Sequence, residues 1–423
     1  PPLAAQGVHA LLERAALQRA QGALGDAEAT LRQALSADGS SAEAWHALGL
    51  LRGAQNETAA AEAAFRRALE LRPNFIAALI NLGSHKAGLE RFEESLPFYD
   101  RALALAPDHA VGHWNRAIAL LTLGDYGAAW RDYDWRWLIP ELVQSAEVRV
   151  LDRRWRGEPV AGKTVLLHSE QGIGDTIQLA RYAPLVARQG ARVALAVQPT
   201  VVSLLAQLPG VERVMSVADP VPAYDLQASL PDLPGLFGTS LATIPDPQGY
   251  LRADPARAAH WRERLGTERR RKVGLIWAGN PRHRDDRFRS IAIKTLEPIL
   301  GRDDVAWFSL QVGARAADLG ALQAPARVTD LAGELTDFSE TAAALAALDL
   351  LITVDTAPAH LAGALGRQTW LLIARQSDWR WMRGREDTPW YASLRLFRQE
   401  RQGDWSPVIA RVTAALDRWL ARK

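Results

Sequence analysis

Residues 164–190 read "TVLLHSEQGIGDTIQLARYAPLVARQG". An apolar run of strand length, Thr164 to Ser169, is followed by a turn with two glycines and then by apolar residues at helical spacing. Gly172 and Gly174 permit tight backbone turns, and Asp175 falls where the helix begins. Its carboxylate has three readings there: a cap on exposed backbone amides, part of a phosphate loop, or a general base projecting beyond a strand end. His168 and Glu170 lie close enough to compete for the last role.

Toward the C-terminus the same alternation continues. Apolar runs recur at "RVALAVQ" (Arg192–Gln198), "VERVMSV" (Val211–Val217) and "YDLQASL" (Tyr224–Leu230). After a charged stretch, "HWRERLGTERRR", a second series follows: "KVGLIWAG" (Lys272–Gly279), "VAWFSLQV" (Val305–Val312), "LDLLITVD" (Leu348–Asp355) and "TWLLIA" (Thr369–Ala374). An amphipathic segment, "PVIARVTAALDRWLARK", closes the chain. Strands alternating with helices predict parallel sheets with Rossmann-like layering, and two of them in series predict a cleft suited to a nucleotide-linked substrate.

Ligands of open αβ sheets bind beyond the carboxyl ends of the strands. In "VDTAPAHLAGALG" a strand ends at Asp355, and Thr356, Ala357 and Pro358 open a helix containing His360. Amides at that helix start suit a phosphate, with the Thr356 hydroxyl assisting; the alternative is an ordinary capped helix with His360 in the packing. In "WAGNPRHRDDRFRSIAIK" a strand is followed by Asn280, His283, Arg284, Arg287, Arg289, Ser290 and Lys294, donors fit for the charge of a leaving phosphate, or else a solvated basic loop. "SDWRWMRGREDTPWY" (Ser377–Tyr391), with Trp379 near its start, either lines a base or sugar pocket or closes the domain interface.

Toward the N-terminus the pattern changes to repetition. "AWHALGLLRGAQNETAAAEAAFRRALELRPN" (Ala44–Asn74) aligns with "ALINLGSHKAGLERFEESLPFYDRALALAPD" (Ala78–Asp108) at a spacing of 34. Trp45, Leu48, Gly49, Ala61, Phe65, Ala68 and Pro73 match Leu79, Leu82, Gly83, Ser95, Tyr99, Ala102 and Pro107. Weaker copies lie on both sides, so about four repeats are expected up to residue 142. The pattern resembles the tetratricopeptide repeat, which implies a superhelix that holds a peptide or protein on its concave face, or a packing scaffold. Asn81 and Asn115 share one position on the first helix of their repeats, where amides suit the backbone of an extended peptide. Glu13 and Ala47 hold that position earlier, so the ladder is short.

A chain of 423 residues is too long for one core. The expected layout is an all-α repeat superhelix over 1–142, a connector over 143–162, and an α/β part with two Rossmann-like domains facing a cleft, over 163–265 and 266–423. There is no cysteine, which excludes disulfides, thiolate ligands and a thiol nucleophile. A net charge of only +2, with Arg dispersed, gives no case for nucleic acid. No apolar stretch is long enough to suggest a membrane span, and no signal peptide is evident, so a cytoplasmic location is expected.

Taken together, "EQGIGDTIQ", "GLIWAGNP", "DRFRS", "VDTAPAHLAGALG" and "DWRWMRGREDTPWY" behind a repeat array resemble bacterial proteins that join tetratricopeptide repeats to a GT-B glycosyltransferase module of the heptosyltransferase type. The layout is also similar to that of O-GlcNAc transferase. The resemblance implies that Gly174-Asp175 carries the catalytic carboxylate, and that Asp355, Thr356, Ala357 and His360 bind the donor nucleotide. It further implies a basic phosphate ligand at Arg289 or Lys294, and acceptor polypeptide on Asn81 and Asn115. A nucleotide sugar is then the co-substrate, with CMP, UDP, GDP or ADP undetermined, and neither a metal nor another cofactor is implied. Heptosyltransferases that build lipopolysaccharide lack such repeats, which points from a lipid to a protein acceptor. Relatives of this layout include enzymes that glycosylate flagellin from CMP-linked nonulosonic acids. The competing readings are a noncatalytic adaptor with a degenerate nucleotide-binding module and a glycosyltransferase for lipid or saccharide acceptors.

Overall fold

The computed structural model describes residues 3–145, 152–283 and 285–421. Part of the expected connector and Arg284 lie outside these. The fold divides into two compact units, one up to Ile139 and the other from Pro140 onward.

The first unit consists of four helical hairpins: α1 (Leu3–Ala20), α2 (Leu24–Ala37), α3 (Ala42–Ala54), α4 (Thr58–Leu71), α5 (Ile76–Gly88), α6 (Phe92–Leu105), α7 (Ala110–Leu123) and α8 (Tyr126–Tyr133). Small residues at repeat positions set the distance between paired helices. A Cβ added to Gly49 would sit 2.6 Å from the Phe65 ring, and one on Gly83 would sit 2.6 Å from Tyr99. Pro73 and Pro107 lie just beyond the ends of α4 and α6, where a helix cannot continue through the ring. An ion cluster around one buried lysine crosses from one repeat to the next. Lys86 is fully buried, and its Nζ lies 2.6 Å from Glu62 and 3.1 Å from Glu94.

The second unit holds two fully parallel sheets. The first contains β1 (Thr164–His168), β2 (Arg192–Val197), β3 (Val211–Ser216) and β4 (Leu226–Ser229), in the order β3-β2-β1-β4. The second contains β5 (Arg271–Ile276), β6 (Val305–Ser309), β7 (Val328–Asp330), β8 (Leu350–Val354), β9 (Thr369–Ile373) and β10 (Leu394–Arg398), in the order β10-β9-β8-β5-β6-β7. Every residue of β6, β8 and β9 is buried, which is why these strands read as continuous apolar runs. β7 and β10 had no such signal. β7 is a short edge strand with two exposed residues, and β10 alternates Leu and Phe with Arg.

Strand order fixes where a ligand belongs. In each sheet the succession reverses once, between β1 and β4 in the first and between β5 and β8 in the second. The crevice beyond the carboxyl ends at such a reversal is the binding position of open αβ folds. The terminal helix, Ser406–Leu420, lays Val408, Ile409, Val412 and Leu416 into the core of the second sheet beside Trp370 and Phe397. Trp261, Trp277, Trp307, Trp381 and Trp390 are among the largest fully buried side chains, so much of the tryptophan serves packing. Among the described residues no helix is long and apolar enough to cross a membrane.

Candidate active site

The two reversal points face each other through two short helices. Helix Ile173–Leu179 follows β1, and helix Ala357–Ala364 follows β8. They cross at Gly174, where an added Cβ would lie 2.7 Å from His360 Cδ2 and 3.6 Å from Ala357 Cα. Gly174 is therefore small for the sake of the other sheet's helix.

Asp175 is the third residue of its helix, whose N-cap is Gly172. The Gly172 amide donates toward the carboxylate, so capping contributes. Across the crossing, Arg380 Nη2 lies 2.5 Å from Asp175 Oδ1, and the Asp175 side chain keeps 23% exposure toward the cleft. Burial pushes the carboxyl above its ordinary range, Arg380 opposes that most, and Asp378 and Glu170 add to the rise. A raised carboxyl with one exposed edge is a stronger proton acceptor than an ordinary surface Asp.

Opposite it, Thr356 is the N-cap of the eight-residue helix, but its hydroxyl bonds Val354 O at 3.2 Å and does not cap the amides. That leaves the positive end of the helix open to an anion. Asp355 stands just before it, its carboxyl raised to about 6 by burial first and by Asp378 second. The Trp381 indole N–H and the guanidinium groups of Arg289 and Arg380 favour its charged form, although the Trp381 Nε1 contact lacks ordinary hydrogen-bond geometry. His360 is buried, with Nδ1 3.0 Å from Tyr391 Oη. Burial and then Arg380 and Arg181 hold its pKa well below the usual value, so at neutral pH it is an uncharged ring.

Beyond β5, Asp286 organises the basic loop. Its Oδ1 accepts from Ser290 Oγ at 2.9 Å and Arg289 Nε at 3.3 Å, and Ser290 Oγ in turn accepts from the Gly279 amide at 3.0 Å. Arg289 is thereby set near Asp355 at the reversal between β5 and β8.

Comparisons with known proteins identify the family. The chain is 30% identical to Protein FlbA of Caulobacter vibrioides over 419 residues, which spans 91% of this chain and 69% of FlbA. The chain belongs to the FlbA family, a tetratricopeptide-repeat glycosyltransferase of the heptosyltransferase type. The model of glycosyltransferase family 9 (heptosyltransferase) matches residues 309–403, and that of a tetratricopeptide repeat matches residues 42–75. A solved family 9 glycosyl transferase from Veillonella parvula is 11% identical, covering 63% of this chain and 99% of its own at a TM-score of 0.46. MamA is 22% identical, covering 30% of this chain and 75% of its own at a TM-score of 0.28.

In this glycosyltransferase, the residues expected at the site separate into those brought together and those not. Asp175, Glu170, Gly172, Gly174, Asp355, Thr356, Ala357, His360, Arg289 and Ser290 gather around the two reversal points. His168 does not join them, which corrects the expectation that it competes as a base. It is fully buried in the sheet, with Nε2 2.9 Å from Gln227 Oε1 and Nδ1 3.1 Å from Ser169 O. Asn280, Arg287 and Lys294 are exposed. Asn280 Oδ1 accepts the Arg282 amide at 3.0 Å, and the Arg287 guanidinium rests 4.4 Å from the Phe288 ring centre. Trp379 is buried between the Arg380 guanidinium, at 4.5 Å, and Trp390, at 5.8 Å, so it closes the interface and offers no open platform for a base.

In the repeat unit, Asn81 Nδ2 lies 2.7 Å from His46 Nε2, and Asn115 Nδ2 donates to Ser84 Oγ at 2.9 Å. Both amides are half-buried and partly engaged with the preceding repeat, so the two-residue ladder is not a row of free donors. Missed in the sequence were Arg380, Gln178 and Asp286. All three are buried polar side chains. All three stood inside segments already singled out, but nothing local marks a guanidinium whose partner is 202 residues away.

Proposed function

We propose that this glycosyltransferase moves a sugar from a nucleotide-sugar donor to a Ser or Thr hydroxyl of a protein held by its repeats. A CMP-linked nonulosonic acid and flagellin are the donor and acceptor we put forward, on the resemblance to flagellin-modifying enzymes of this layout. One observation carries the reading: the Asp175 carboxylate from one sheet and the uncapped start of helix Ala357–Ala364 from the other meet at the Gly174 crossing.

In the proposed step the acceptor oxygen bonds to the anomeric carbon while the bond from that carbon to the donor phosphate oxygen breaks. The electron pair leaves with the phosphate, and the hydroxyl proton passes to Asp175. The helix amides at Ala357 and the Arg289 guanidinium stabilise the departing charge, with protein cations in the role a metal fills elsewhere. Neutral His360 holds the helix against Gly174 without competing for the anion.

Thermal shifts with CMP, UDP, GDP and ADP test the donor class, because a ligand that binds the folded form raises its apparent stability. The largest shift is expected with CMP; no shift with CMP and a clear one with another nucleotide would replace the donor. Deleting residues 1–142 is expected to abolish modification of flagellin by the remaining module. Normal modification would remove the repeats from acceptor delivery.

A further inference from the structure

The mechanism just proposed gives no role to Arg380, a buried cation at the cleft. Arg380 is 4% exposed and lies on the segment after β9, in the donor-side half. Its guanidinium divides between the halves: Nη2 meets Asp175, Nε donates to Gln178 Oε1, and Nη1 donates to Asp378 Oδ1 at 2.8 Å. Trp379 covers one face of it. Asp175 and Gln178 stand one turn apart on helix Ile173–Leu179, so one guanidinium contacts both, by a hydrogen bond to Gln178 and by an ion pair without ordinary hydrogen-bond geometry to Asp175. The Gln178 Nε2 group is fully buried and makes no hydrogen bond among the described residues. An amide with half of its capacity unused is held there for its oxygen, the atom Arg380 takes.

We propose that Arg380 is the positioning residue for Asp175, orienting its carboxylate from the opposite half of the cleft so that the base is assembled only when the two halves are together. This rests on the reading of Asp175 as the base. The groups acting on that carboxylate are Arg380 and Asp378 from the segment after β9 and Glu170 and the Gly172 amide from its own loop; the crossing helix brings neutral His360 against the neighbouring Gly174. Of these, Arg380 favours the charged form most, while Asp378 and Glu170 disfavour it.

The test uses the full chain with 13C-carboxyl-labelled aspartate, and the Asp175 signal is assigned by its loss in Asp175→Asn. In Arg380→Met the midpoint of that signal is expected to rise by about one pH unit or more, and in Arg380→Lys to stay close to wild type. In Asp378→Asn, an exchange at a side chain 40% exposed, the midpoint should fall. Opposite movements are not what a merely structural arginine produces. An unchanged midpoint in Arg380→Met overturns the proposal, and if that variant does not fold, wild-type kcat in Arg380→Lys overturns it. Sugar transfer read in parallel separates the two claims. Undiminished transfer by Asp175→Ala removes the base reading and leaves the titration result intact. With Asp175 essential, Arg380→Lys should lower kcat about tenfold with little change in donor KM, since the charge remains and the fork is lost.

Discussion

Lys86 in the repeats and Arg380 in the cleft are both buried among carboxylates, yet those carboxylates titrate in opposite directions. For Glu62, burial pushes upward, but the contacts from Lys86 and Arg66 outweigh it and leave the group below its ordinary value. Glu94 is held at about 2, by Arg91 first and Lys86 second. Beside Arg380, Asp175 and Asp355 are both raised. The difference lies in company. Arg66 and Arg91 add cations around Glu62, whereas Asp378 adds an anion beside Asp175 and Asp355. A structural cluster satisfies its charges; the cleft holds two carboxyls against their preference, as sites of acid–base chemistry do.

The largest expected effect is on chemistry. Asp175→Ala should lower the initial rate of transfer about 10²- to 10⁴-fold, and an unchanged rate would erase the distinction between the two clusters. Gly174→Ala comes next, because its methyl would stand 2.7 Å from His360. It should cut transfer by about tenfold or more by spreading the crossing helices. Gly53→Ala in α3, where nothing lies within 4 Å, should leave transfer unchanged and stabilise the repeats by about 0.5–1 kcal/mol in urea unfolding. Lys86→Met should cost the repeat unit about 2 kcal/mol, less than full loss of a buried pair because Arg66 and Arg91 remain on Glu62, with nucleotide affinity untouched.

The smallest effect carries the sharpest sign. Asp355 has a folded value of about 6 against 3.8 unfolded, so the folded state binds more protons between these values and loses stability as pH rises through them. Asp355→Asn should therefore raise Tm on the order of 2–4 °C at pH 7.5 and give no gain below about pH 4. Glu94, depressed from 4.5 to about 2, has the opposite sign. Its contribution is complete above 4.5 and disappears as pH falls toward 2, so acid should loosen the repeats while relieving the cleft. Calorimetry from pH 3 to 8 reads both.

Periodicity made most of the fold legible. Spacing of 34 revealed the hairpins because their contacts repeat, and buried strands announced themselves because both faces are covered. β10 escaped because "LRLFR" alternates Arg with apolar residues inside a segment that reads as a loop. At the site, backbone-defined features were readable: the strand ends, the glycines and the helix start at Thr356. Side-chain partnerships were not. His168 stood at a strand end like a catalytic group, but strand alternation puts it on the face of β1 shared with Leu166, inside the sheet. Asn81 had the right repeat position, and only the fold shows His46 occupying its amide.

Helix Ala357–Ala364 is fastened at both ends. Its front meets Gly174, and at its rear the Ala364 carbonyl accepts from two consecutive amides, those of Tyr250 at 2.8 Å and Leu251 at 2.9 Å. Mechanically it is a short push-rod seated between the first sheet's helix and the strand of chain that leads into the second sheet. Tyr250 also reaches the first sheet's helix, its Oη donating to the Ile177 carbonyl and to that of Gln178 at 3.2 Å, so the rear anchor ties together the same two helices that Gly174 joins at the front.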